Sequence, residues 1–203
     1  MPRLATRRIA GFVLGFALVY GLLVFAWPLV GGAYRGFYCG LGNALFDGGD
    51  AAARFHPLEE GEGLDVEIVL TKTTPPVVRG RMRNDSRLVG YMPTVCLVAF
   101  VLASPIPWKR RRRALLLGLL LVHVFVALRM GIPIVREFSQ ENALQVYHLG
   151  GFRRWLLGVA NRAFLSAPAS FFVVPTFLWI LVAFRGTDWQ LLREPDESPP
   201  TSA

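Results

Sequence analysis

The chain has 203 residues, 53% of them hydrophobic, and its 22 Lys and Arg outnumber 14 Asp and Glu for a formal net charge of +8. A water-soluble domain of this length buries a sizeable core, but it does not gather apolar residues into runs approaching membrane-spanning length, and the mean hydropathy is +0.43. The basic balance alone would suit nucleic acid, yet that reading leaves the apolar runs unexplained, so no nucleic-acid partner is expected.

In chain order, the first apolar run is residues 9–30, with no Asp, Glu, Lys, Arg or His and with Trp27 and Pro28 near its far end. Its length lies within the roughly 17–25 residues that cross hydrocarbon as a helix. Arg3, Arg7 and Arg8 would also suit a signal peptide, but the run is long for one and lacks an A-x-A cleavage signal, so a retained anchor is preferred. Residues 34–46 mix aromatics, glycines and polar groups and predict a short interfacial helix or re-entrant turn. Turns follow at Asp47-Gly-Gly-Asp50 and at the acidic residues 59–63. Residues 64–71 partly alternate, Thr74-Pro-Pro76 interrupts, and residues 77–83 follow, which predicts a small external β-hairpin. Two strands alone are marginal in water, so the hairpin should pack on the membrane part or on another protein.

A second apolar run, residues 89–108, has Pro93 in its first turn and Pro105 and Pro107 at its end. Residues 114–128 form the third run, extended to 132 if Arg129 snorkels toward the membrane surface. Residues 133–162 carry a second external segment, whose stretch 152–162 reads as an amphipathic helix anchored by Arg153, Arg154 and Trp155. The fourth run is 163–184, with Pro168 and Pro175 as bends, and 186–203 predicts a disordered tail.

These elements predict an all-α multispan membrane protein of four transmembrane helices, with a small external β-hairpin and interfacial helices. The layout is a cytoplasmic tail 1–8, spans 9–30, 89–108, 114–132 and 163–184, external segments 31–88 and 133–162, a cytoplasmic turn 109–113 and a cytoplasmic tail 185–203. An even number of spans puts both termini on one side, and Arg3, Arg7, Arg8, Lys109, Arg110, Arg111, Arg112, Arg113 and Arg185 make that side cytoplasmic by the positive-inside rule. The segment 31–88 holds seven basic and eight acidic residues and has no such bias. Lys109, Arg110, Arg111, Arg112 and Arg113 therefore read as a topological lock, with contact to anionic lipid as an additional role.

Residues for chemistry are few. No metal-binding, P-loop or dinucleotide fingerprint occurs, so neither a metal nor a cofactor is expected. Cys96 lies inside an apolar run and reads as packing. Cys39 is the more accessible cysteine by position, and with His148 it would make a nucleophile and base only if the fold brought them together. His123 and Arg129 are polar groups within a predicted span, and each needs a partner there. Their six-residue spacing separates them by about 9 Å along a helix, so they are not an evident catalytic pair. His123 reads first as a hydrogen bond within the bundle, and Arg129 as snorkelling or as an ion pair.

The string G90-Y-M-P-T-V-C-L-V-A-F-V-L-A-S-P105, followed by the basic turn, resembles small bacterial membrane proteins associated with exosortases, and most closely the exosortase H-associated membrane protein family. The resemblance implies a multi-pass protein of the bacterial inner membrane whose external segments are periplasmic. It also implies an accessory role in protein sorting, with an exosortase-type membrane enzyme as partner and proteins bearing sorting tails as clients. True exosortases resemble multispan enzymes with cysteine, arginine and histidine chemistry and an alanine-cysteine-serine/alanine-glycine pattern. Here Cys39 sits in Phe-Tyr-Cys-Gly-Leu-Gly and Cys96 in Thr-Val-Cys-Leu-Val, so neither carries over, which favours a non-enzymatic partner. The alternatives are a cysteine-dependent membrane peptidase or transpeptidase using Cys39 and a histidine, and a small transport or lipid-binding protein using His123 and Arg129.

Overall fold

The computed structural model describes residues 2–58, 64–166 and 170–183. The expected acidic turn 59–63, Pro168, Arg185 and the tail 186–203 lie outside the described residues. Among the described residues, six α-helices and three strands follow in order: α1 Pro2–Phe25, α2 Trp27–Phe46, β1 Ala51–Pro57, β2 Val66–Lys72, β3 Val78–Asn84, α3 Met92–Ala103, α4 Trp108–Glu137, α5 Gly151–Asn161 and α6 Ser170–Ala183. A π-helical turn, Arg87–Tyr91, leads into α3, and a second, Arg162–Ser166, follows α5.

The four-span expectation is corrected. Among the described residues, only α4 is by itself long and apolar enough to cross a membrane, and counting each sharply bent helix pair as one span would raise the number to three. Two of the differences have a local cause. The run 9–30 breaks at Ala26, where α1 meets α2 at a 73° bend, because Pro28 in the first turn of α2 cannot continue the hydrogen bonding of α1. The run 89–108 yields the helical stretch Arg87–Ala103, about 25 Å long and short of a hydrocarbon core of about 30 Å. It stops where Ser104 turns extended ahead of Pro105 and Pro107. Of the run 163–184, the described residues form most of a π-turn and α6, which has 14 residues. The multi-pass inner-membrane placement with both termini cytoplasmic loses its basis too, since it rested on an even count of spans.

Residues 109–113 are not a turn. They form the first turns of α4, which begins at Trp108 just after Pro107 and runs for 30 residues. Lys and Arg are good helix formers, so the charges do not interrupt the helix that the leucine run continues.

The expected hairpin is an open three-stranded antiparallel sheet in the order β1-β2-β3. Its added strand, Ala51-Ala-Ala-Arg-Phe-His-Pro57, buries Ala53 and Phe55 and turns Arg54 and His56 outward. Asn43 of α2 fastens this strand: its Oδ1 accepts from the Phe55 N–H at 2.7 Å and its Nδ2 donates to the Phe55 carbonyl at 3.1 Å. Gly42 lets the two elements approach, since a Cβ there would lie 2.7 Å from the Phe55 ring.

The inner face of the sheet closes a core with Tyr38 and Cys39 of α2, Ile68 and Leu70 of β2, and Val126, Met130 and Ile134 of α4. A second cluster joins α1, α3 and α6 through aromatic rings, with Phe16 4.3 Å from Phe100 and Phe100 5.0 Å from Trp179, centroid to centroid. α5 buries none of its residues and leaves Phe152, Trp155, Leu156 and Val159 exposed.

Candidate functional site

Polar groups converge where the sheet meets the helices. Asp65, just before β2, accepts from the Ser86 N–H at 2.7 Å and the Ser86 hydroxyl at 2.6 Å, and Arg35 of α2 approaches it at 3.4 Å. Arg35 also donates to the Leu58 carbonyl at 2.9 Å. Beside them Asn84 donates to the Tyr38 hydroxyl at 3.0 Å. Asp85 caps the π-turn by accepting from the Arg87 and Leu88 N–H groups at 2.8 and 3.1 Å. Burial raises its carboxyl pKa above the ordinary value, against the lowering effect of those two hydrogen bonds.

Arg129 belongs to this junction. It is 7% exposed on α4, and its Nη1 donates to the carbonyls of Leu88 and Val89 at 3.0 and 3.2 Å. In a helix these two oxygens would receive the N–H of residue 93 in π or α geometry, but residue 93 is proline and has none. Arg129 supplies the missing donor from another helix. It therefore neither snorkels nor pairs with a carboxylate among the described residues, and its guanidinium also lies 5.8 Å from the centre of the Phe125 ring.

His123 is likewise occupied within its helix. Its Nδ1 lies 2.7 Å from the Leu119 carbonyl one turn back, and its ring meets Phe37 edge-on at 5.3 Å. His123 and Arg129 thus reach separate backbone partners and form no shared site. Among the described residues, no group of three or more metal-ligating side chains occurs.

Cys39 is 5% exposed, and the charged groups that face it are Asp65 and Arg35. Burial, with Asp65 adding to it, pushes the thiol up to about 11, away from the range of reactive cysteines. His148 is exposed in the segment after α4, and His56 points to the opposite face of the sheet from Cys39. Cys96 is fully buried in α3.

The cations 109–113 crowd the N-terminus of α4, where the helix dipole disfavours positive charge. Two of them meet carbonyl groups at the ends of neighbouring helices. Arg111 donates to the Ser104 carbonyl at 2.9 Å beyond α3, and Arg110 lies 3.5 Å from the Ala183 carbonyl at the end of α6. Lys109, Arg112 and Arg113 are exposed.

Sequence reasoning overlooked the outer face of the sheet. Arg54, His56, Arg79, Arg81 and Arg83 all point outward there, and an open cavity of about 690 Å³ lies over it. The alternation of Arg79, Arg81 and Arg83 carried the signal, but without β1 the face could not be assembled.

By fold the described residues make a largely helical protein with one apolar helix of membrane-spanning length and a small sheet fixed to the far half of that helix. No family model, curated protein or solved structure matches it.

Proposed function

We propose that the chain is a non-enzymatic accessory of an exosortase-type protein-sorting system, presenting its sheet to the sorting enzyme or to the tail of a client. One observation carries this reading: the sheet is fused to α2 and α4 through its inner face while its outer face remains open. In α4, Leu116, Leu117, Leu120, Val124 and Leu128 are exposed, which suits a helix solvated by lipid. The five cations stand at its first turns and the sheet packs against its 126–134 half. If α4 crosses the bilayer, the positive-inside rule puts the cations in the cytoplasm and the sheet on the other side.

The cysteine-peptidase alternative finds little support in a buried thiol that faces Asp65 and Arg35. At neutral pH a thiol with a pKa of about 11 is well under ~1% thiolate. Affinity purification from native membranes should recover a sorting enzyme with the chain, and a well-folded Cys39→Ala variant should retain both the complex and sorting-tail cleavage. Isolation without such an enzyme argues against the accessory role, and loss of cleavage in the Cys39→Ala variant argues for the peptidase.

A further inference from the structure

The outer face of the sheet has a charge spacing that the fold itself does not use. In β3 the alternation Val78-Arg-Gly-Arg-Met-Arg-Asn84 sets Arg79, Arg81 and Arg83 on one side of the strand, all exposed. The strand rise spaces them about 6.6 Å apart. The register aligns Arg54 and Val69 with Arg81, and Ala52 and Thr71 with Arg79. Arg54, Arg79, Arg81 and His56 thereby surround a cavity floored by Ala52 and Val69. Two carboxylates offset part of the charge: Asp47 meets Arg54 at 3.0 Å and Glu67 meets Arg81 at 3.9 Å. Among the described residues, no carboxylate lies within ion-pair distance of Arg79 or Arg83.

We propose that this face binds an extended acidic polypeptide segment whose carboxylates fall on alternate residues. The inference rests on the accessory reading for its choice of a protein partner. Alternate side chains on one face of an extended peptide are about 6.6–6.8 Å apart, matching the arginine spacing, and guanidinium groups take carboxylates in a two-pronged geometry. Single-stranded nucleic acid fits less well. The face has no Phe, Tyr or Trp on which bases would stack, and Asp47 and Glu67 would oppose phosphates. Exposed ion pairs contribute about 0.2–1 kcal/mol each, so the binding is weak, cumulative and salt-sensitive.

The test uses the purified full chain in nanodiscs of zwitterionic lipid. The probes are a short labelled serine peptide carrying three glutamates on alternate residues, an isomer with the same three glutamates three residues apart, and oligothymidylate of equal length. Successive carboxylates of the isomer fall on opposite faces of an extended chain. The alternating peptide is expected to bind about tenfold tighter than the isomer and to dissociate as salt is raised. The triple variant Arg79→Gln, Arg81→Gln, Arg83→Gln should lose this binding by about tenfold or more with its thermal unfolding unchanged, while the corresponding triple lysine variant keeps part of it. Equal binding of the two peptides, tighter binding of oligothymidylate, an unaffected glutamine variant or no peptide binding at low salt would each overturn the proposal. Peptide binding without a sorting enzyme in native membranes removes the accessory reading and leaves the acidic-segment site standing. A recovered enzyme complex with no peptide binding does the reverse.

Discussion

The inner and outer faces of one small sheet differ in almost every physical respect, although their residues alternate along the same strands. Inward, Phe55, Ile68 and Leu70 are buried against α2 and α4, and their polar neighbours Asn43, Asp65 and Asn84 each meet a partner at hydrogen-bond distance. Outward, arginines and a histidine stand in the open with few partners. Stability therefore concentrates on one face, and the other is free to vary in charge without unfolding the protein. A surface designed only for solubility would mix both signs, but here the outer positions of β3 are all arginine.

Phe55→Ala is the strongest way to break this comparison. The ring is 2% exposed, rests on Gly42 and stands 6.1 Å from Tyr38, so its loss should cost about 3–5 kcal/mol. Denaturant unfolding in detergent micelles, followed by proteolysis at the β3 arginines, reads the effect. Arg129→Leu comes next, at about 3 kcal/mol, because it leaves the Leu88 and Val89 carbonyls without their donor. Pro93→Ala restores a backbone N–H that can reach one of these oxygens. In a double-mutant cycle the Arg129→Leu cost should therefore shrink in the Pro93→Ala background, and an undiminished cost would show that the carbonyls are not the reason for burying Arg129. On the outer face, Arg79→Ala should change stability by less than about 0.5 kcal/mol, measured in the same way.

How much of this was legible beforehand depends on the element. The leucine run of α4 and the alternation of β3 are written plainly in the chain. β1 is not, because three successive alanines are weak strand formers and the strand is held by Asn43 from a distant helix. The breaks in the apolar runs were announced by Pro28, Pro105 and Pro107, but a hydropathy pattern measures greasiness and not helix continuity. Residues 109–113 looked like a turn because charge suggested a boundary, whereas helix propensity carried the chain through it. The role of Arg129 had a sequence signal as well: Pro93 deletes a donor, and a buried cation elsewhere is one way to replace it. That pairing spans two helices, so only their packing reveals it.

A small effect of charge sharpens the comparison at the edge between the faces. Asp85 joins β3 to the π-turn, and its Oδ1 accepts from two backbone N–H groups. Burial raises its pKa from the ordinary 3.8, so the folded state binds the proton more tightly than the unfolded chain does. The sign then follows: as pH rises through the window above 3.8, ionisation of Asp85 weakens folding, and above the raised value the whole penalty is present. Asp85→Asn keeps the accepting oxygen and removes the charge, so at neutral pH it should be neutral or stabilising by up to about 0.5 kcal/mol. Any gain should fade as the pH falls through that window and be gone below 3.8, where the carboxyl is protonated in both the folded and the unfolded state. Asp85→Ala removes the cap and should cost about 1 kcal/mol at neutral pH. Thermal unfolding of the three proteins across pH distinguishes these outcomes. A loss on Asp85→Asn at neutral pH would mean that the two N–H groups reward the negative charge more than burial penalises it.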